Sequence, residues 1–231
     1  MQNYDEFILR AQRIDPRAPY PVVHQAVRIA LYDEYAARSF YARVAEAFGA
    51  RPPFANIVRS EEQHIAVLLG LCERFGIPRP LDPFPQETTV APTWLANCQR
   101  AVNGEIANVR LYAYLLTQVA EPEIRQVFQR LQAASLQNHL PAFRQAAAAA
   151  QAQENYHAAH GIPPQQAYVR HGPLSDFLET AFSQLGPYAG PLGLFSPLLR
   201  RAHPAMLAGM VTGGAGVYLL KDRIGRHRKE N

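Results

Sequence analysis

Cysteine is scarce: Cys72 and Cys98 are the two in 231 residues, 26 positions apart and with no Cys-x-x-Cys pair. That spacing excludes a zinc knuckle and a disulfide scaffold. Lysine is equally rare. Lys221 and Lys229 are the only two, both close to the C-terminus, and arginine serves the rest of the chain; nothing in the sequence explains that bias. Charged residues make up 18%, below the usual ~25%, which implies that part of the surface faces something other than plain water. The opening MQNYDEFILR has no basic-then-apolar pattern, so no secretory signal is expected, and a reduced cytoplasmic setting is the expectation. A Gly-rich phosphate loop after a strand pattern is missing, as is a strand-to-turn nucleophile elbow.

Net positive charge is also lacking outside one segment. The net charge is +4, but residues 221–231 hold five basic and two acidic residues. About one positive charge is left for the other 220 residues, so the body offers no basic face to a phosphate backbone and nucleic acid is not an expected partner. Hydrophobic residues reach 48%, enough to bury one sizeable core and too many for a wholly disordered chain.

What is present reads as helix, and the expected class is all-α. A run from Val22 to Phe48 follows Pro21 and stops at Gly49, the usual proline-before and glycine-after asymmetry. A second run, from about Pro53 to Phe75, carries Phe54, Ile57, Val58, Ile65, Leu68, Leu69 and Cys72 at spacings of three and four, which makes one buried face. Residues 77–92 contain five prolines, so they are expected to form a helix-free crossover loop. A third run begins with Thr93 as N-cap and reaches Val119; a fourth runs from about Pro122 towards His160. Four long helices with one long middle connection are the pattern of a four-helix bundle of the ferritin-like variant. The expected organisation is an N-terminal segment 1–21, the bundle 22–160, a Pro-rich linker 161–203 with a short amphipathic helix, and a Gly-rich apolar helix with a basic tail, 204–231.

Polar residues stand in the middle of these helices. Glu61 and His64 are three apart and project from one face, where both can bind one metal. Taken alone, such a pair arises often by chance on a solvated helix. Glu34 and Glu105 sit mid-run in the first and third helices, followed seven residues later by Tyr41 and Tyr112. Seven residues are about two turns, so each tyrosine shares a stripe with its glutamate. His64 and His139 follow these glutamates after about thirty residues, a faint duplication that suggests two Glu/Tyr helices and two His helices around a pseudo-two-fold axis. The candidate metal ligands are therefore Glu34, Glu61, His64, Glu105 and His139, with Tyr41 and Tyr112 orienting the carboxylates. Carboxylate and imidazole donors suit iron or manganese, and buried carboxylates need a compensating charge.

On Glu34, PFANIVRSEEQHIAVLLGLCERFGI, GEIANVRLY and VFQRLQAASLQNHLPAF, residues 22–150 resemble the ferritin-like superfamily, nearest to rubrerythrin-related and uncharacterised bacterial ferritin-like domains. The resemblance implies a di-iron or related site used for iron oxidation, peroxide reduction or oxygen chemistry. The pattern departs at one position: the carboxylate expected three residues before His139 is Leu136, and Ser135, Gln137 and Asn138 do not replace it. The expectation is an asymmetric site, stronger on the Glu34/Glu61/His64 side, which a Leu136→Glu change would strengthen. Pro141 should kink the fourth helix beside His139. The competing reading is a helical structural or interaction module without metal chemistry.

Minor expectations complete the reading. His157 and His160 are expected to cap a helix C-terminus, Tyr32, Tyr35 and Tyr114 to be core aromatics with polar tips, and Trp94 to pack on the crossover loop. Residues 205–220 carry no charge and contain Gly209-x-x-x-Gly213, with basic residues directly after. This pattern suits contact with a membrane or with another subunit of a homo-oligomer, although sixteen residues span only about 24 Å of a ~30 Å hydrocarbon core.

Overall fold

A computed structural model describes residues 3–159 and Gly161; the expected linker, its short helix and the apolar segment 205–220 lie outside the described residues. The chain divides into two units, Met1–Ala148 and Ala149–Asn231. Of the second, only the end of the last helix and Gly161 are described. The described residues are helical and contain no strand.

Four elements match the long runs: α2 (Val22–Phe48), α3 (Phe54–Arg74), α5 (Trp94–Gln118), and a last helix made of α6 (Pro122–Ala134), a π-turn (Ser135–His139) and α7 (Leu140–Ala159). Two short helices, α1 (Glu6–Ala11) and α4 (Phe84–Glu87), precede and interrupt them. In the bundle, α2 packs against α3 and α5, and α6 packs against α5 and α3. Leu9, Ile29, Leu68, Leu115, Ile124 and Phe128 are fully buried between them, each stabilising the fold by about 1.5–3 kcal/mol relative to exposure.

Local chemistry sets the helix ends. Gly76 takes a positive φ of 62° after α3, and the Ile77 amide reaches back to the Cys72 carbonyl at 2.8 Å. This closes a Schellman cap, which strongly favours glycine. Thr93 Oγ1 accepts from the Ala96 amide at 3.2 Å and caps α5 as expected.

Three expectations need correction. The crossover holds a four-residue helix, α4, despite its prolines. Pro85 sits in the first turn, where the missing N–H breaks no helical bond, and Phe84 meets Tyr32 edge-on at 4.7 Å. Trp94 packs against Phe54 at 5.1 Å and Phe48 at 5.9 Å, under the Arg51 guanidinium. Pro141 does not simply kink the last helix; a five-residue π-turn ends two residues before it. The proline lacks an N–H for the Gln137 carbonyl and its ring crowds that carbonyl, and a wider turn relieves both.

The N-terminal segment is held by a buried ion pair. Arg28 of α2 donates to both carboxylate oxygens of Asp5, at 2.5 and 2.6 Å, and also to the Pro78 carbonyl of the crossover. Tyr4 lies over its guanidinium at 4.3 Å. One arginine thus ties the start of the chain and the crossover to the first long helix.

Candidate metal centre

The five predicted ligands meet in the interior. Glu34 comes from α2, Glu61 and His64 from α3, Glu105 from α5 and His139 from the π-turn. All five are buried. They form two groups, Glu34/Glu61/His64 and Glu61/Glu105/His139; within each, one donor atom per residue lies within 4.8 Å of the others. Either group can hold a metal ion.

Glu61 belongs to both groups and divides its two oxygens between them. Oε2 lies 2.9 Å from Nδ1 of His64 and Oε1 lies 3.2 Å from Nδ1 of His139. Glu34 flanks the first histidine at 3.3 Å and Glu105 the second at 3.6 Å. The imidazole rings stack with centroids 5.5 Å apart and planes 21° from parallel.

The tyrosines cross between the helices. Tyr112 of α5 donates to Glu34 of α2 at 2.5 Å, and Tyr41 of α2 donates to Glu105 of α5 at 2.6 Å. The repeated Glu-x6-Tyr spacing thus produces two reciprocal bonds. Phe54 and Phe143 enclose the Tyr41 ring, at 5.8 and 4.9 Å, and cover that end of the site with apolar surface.

Burial and mutual repulsion shift the titrating groups. Burial, then the Glu61 charge, pushes Glu34 up to about 7. Burial opposes charge on His64, but hydrogen bonds to Glu34 and Glu61 outweigh it and raise the ring to about 10. The same opposition, won by Glu105 and Glu61, raises His139 to about 9. Burial works against an ionised Glu61 as well, yet the adjoining His139 and His64 rings hold it below its ordinary value. Tyr41 and Tyr112 are pushed well above theirs by burial and the adjacent carboxylates, so both remain hydrogen-bond donors.

Among the five candidate ligands, two buried atoms make no hydrogen bond: Nδ1 of His139 and Oε2 of Glu105. Such groups are costly to leave unmade. Both belong to residues of the Glu61/Glu105/His139 group, and a cation among those donors would satisfy Nδ1 of His139. The donor set therefore fits a divalent metal on an observation independent of its sequence pattern.

Leu136 does not line this site. It is 49% exposed, whereas Ser135 is 2% exposed. A π-turn takes in more residues than the 3.6 of an α-turn, so the residue four before His139 shares its face and the residue three before turns outward. With Glu61 shared, each side has three donors. The asymmetry expected from Leu136 is not visible in the donor set, and a carboxylate at that position would point to water.

Sequence reasoning missed the neighbours of this set. Ser60 places its hydroxyl 2.9 Å from Nε2 of His139 and 3.4 Å from Nε2 of His64; its position one turn before His64 was the available signal. Asp33, beside Glu34, accepts from Asn108 at 2.8 Å and Gln12 at 2.6 Å, and burial with the Glu34 charge raises it to about 7. Of the minor candidates, Tyr32 donates to Glu6 and Tyr114 accepts from the Ile14 amide, as polar-tipped core aromatics should. His157 is buried in the last turn of α7, and His160 lies outside the described residues.

No known family model matches the sequence, and no curated protein matches it. Among solved structures, the chain is similar to a hypothetical protein of Methanococcus jannaschii at 17% identity, with a TM-score of 0.50, over 73% of this chain and 97% of that one. A likeness at that identity shows a shared helical fold and carries no function with it.

Proposed function

We propose that this chain is a ferritin-like metal protein, with one ion held by Glu34, Glu61 and His64 and a second by Glu61, Glu105 and His139. The reading rests on one observation: the two oxygens of Glu61 face two different histidines, each flanked by its own further glutamate. A carboxylate placed this way bridges two cations. The four long helices and the single long connection between α3 and α5 support the ferritin-like arrangement. The hard oxygen and imidazole donors favour iron, with manganese the nearest alternative.

Iron held there supplies reversible redox chemistry suited to iron oxidation, peroxide reduction or reaction with oxygen. The chain's own residues prepare the position. Tyr112 and Tyr41 fix the terminal glutamates, and Phe54 and Phe143 keep bulk water from one end. Ser135 on the face where a second bridging carboxylate would stand leaves the pair with a single protein bridge.

Metal analysis of protein purified without added metal tests the reading, with Glu61→Ala and His64→Ala as controls. Iron in the wild type, its loss in Glu61→Ala and a reduced content in His64→Ala, which keeps the Glu61/Glu105/His139 group intact, are expected. A wild type that contains no metal and takes up no Fe(II) favours the helical interaction module instead.

Self-association, and membrane or subunit contact through 205–220, belong to the same proposal. No helix among the described residues is long and apolar enough to cross a membrane. Fractionation and sizing of the full chain against a truncation after Gly161 test both contacts. Two equally soluble species of the same oligomeric order would remove them.

A further inference from the structure

We propose that Ser60 is a positioning residue shared by the two histidines, accepting the Nε2 proton of each when the Nδ1 atoms, which face the carboxylates, ligate metal. The inference rests on the metal reading above and adds a residue to it.

A neutral imidazole carries one proton, and the nitrogen that meets an acceptor keeps it. The other nitrogen is then free to ligate, and partners of this kind fix both the tautomer and the ring orientation. In most such arrangements each histidine would have its own acceptor. Here one hydroxyl lies at the Nε2 end of both rings, 2.9 Å from His139 and 3.4 Å from His64. A hydroxyl oxygen has two lone pairs, enough to accept from both. The opposite ends of the two rings converge on Glu61, at 2.9 and 3.2 Å.

Chain geometry explains why one residue can do this. Ser60 precedes Glu61 and stands one helical turn before His64, so α3 carries the acceptor, the shared carboxylate and one histidine together. The π-turn brings His139 to the same hydroxyl from the last helix, with its ring stacked on His64. The two candidate metal positions are thereby coupled twice, through Glu61 on one side of the rings and through Ser60 on the other. The longer contact to His64 makes the Glu61/Glu105/His139 position the more dependent of the two.

Co(II) titration of the full chain, read by visible absorption and by the exchangeable imidazole N–H resonances in the paramagnetically shifted NMR spectrum, tests this. Wild type, Ser60→Ala and Ser60→Thr are compared. The wild type should bind two Co(II) and show two exchangeable N–H signals. Ser60→Ala should bind about 10-fold more weakly and lose or broaden both signals through exchange with water, the His139 signal first. Ser60→Thr keeps the hydroxyl and should retain both signals. Alanine is a strong helix former, and the threonine variant provides a second test should the alanine variant misfold. Two Co(II) bound to Ser60→Ala with wild-type affinity and both signals intact would overturn the assignment while leaving the metal reading standing. A threonine variant that loses both signals would overturn it too. A wild type that binds no Co(II) would remove the metal reading and the Ser60 assignment together.

Discussion

The Tyr112 hydroxyl on α5 lies 2.5 Å from the Glu34 carboxylate on α2. Its counterpart runs the opposite way, from Tyr41 on α2 to Glu105 on α5 at 2.6 Å. Each glutamate thus takes its hydrogen bond from the other helix, and the two outer carboxylates of the site are fixed relative to one another through two aromatic side chains. Replacing either tyrosine by phenylalanine keeps the packing and removes the donor. We expect Tyr112→Phe and Tyr41→Phe each to destabilise the fold by about 1–3 kcal/mol, measured by urea denaturation. A loss below about 0.5 kcal/mol in both would mean that the carboxylates find other partners.

The ionisation of the site makes metal-free stability fall with rising pH. His64 and His139 bind protons more tightly folded than unfolded, with values of about 10 and 9. Their stabilisation is therefore complete below the ordinary 6.5 and is lost as pH rises through 9 to 10. Glu34, raised to about 7, adds a decline between the ordinary 4.5 and 7. Glu61, held low, acts in the reverse sense in acid: its contribution is present above 4.5 and lost as pH falls. Metal must displace the imidazole protons and that of Glu34, so its stabilising effect should grow with pH. Melting curves with and without Fe(II), recorded anaerobically at pH 6 and pH 8, should show a wider gap at pH 8. An equal or narrower gap would contradict these ionisations.

Leu136 and Ser135 should respond differently to a carboxylate. Leu136→Glu adds a charge to a half-exposed position and should change stability by no more than about 0.5 kcal/mol, with metal content unchanged. Ser135→Asp puts the charge on the buried face of His139. It should destabilise the metal-free protein by more than about 1 kcal/mol and recover on addition of metal. A rise in metal content with Leu136→Glu would mean that the turn does not direct that residue outward.

The buried Asp5–Arg28 pair gives a prediction remote from the metal. Asp5→Ala leaves the Arg28 guanidinium without its bidentate partner, inside the protein. Breaking a pair of this kind by removing one member costs about 3–5 kcal/mol, and the variant should melt correspondingly lower. A near-neutral effect would show that water or the Pro78 carbonyl suffices to satisfy the arginine.

Much of this was legible in the sequence, for reasons that also define what was not. Glu34, Glu61, His64, Glu105 and His139 stand out because charged and polar residues occupy mid-helix positions on otherwise apolar stripes, and helical period fixes a residue's face. Period does not say which neighbouring helix that face meets, so the crossed tyrosine bonds could not be assigned. Ser60 looked like an ordinary helical serine because its partners come from two helices 79 residues apart in the case of His139. The π-turn escaped because Pro141 signals only that the α-pattern fails, without saying how the backbone absorbs the failure. Asp5 and Arg28 were passed over because neither local pattern marks a charge as buried. The prolines of the crossover concealed α4 because their cost depends on position within a turn.

The central claim, that Glu61 serves two ions at once, is tested most directly by anaerobic Fe(II) titration of the wild type beside Glu34→Ala, Glu105→Ala and Glu61→Ala. The account predicts two tightly bound ions in the wild type and one in each of the Glu34 and Glu105 variants, which lose an outer ligand on opposite sides. In the Glu61 variant, which loses the shared one, it predicts none. A Glu61→Ala protein that keeps an ion at wild-type affinity, or a wild type that binds none, would contradict it.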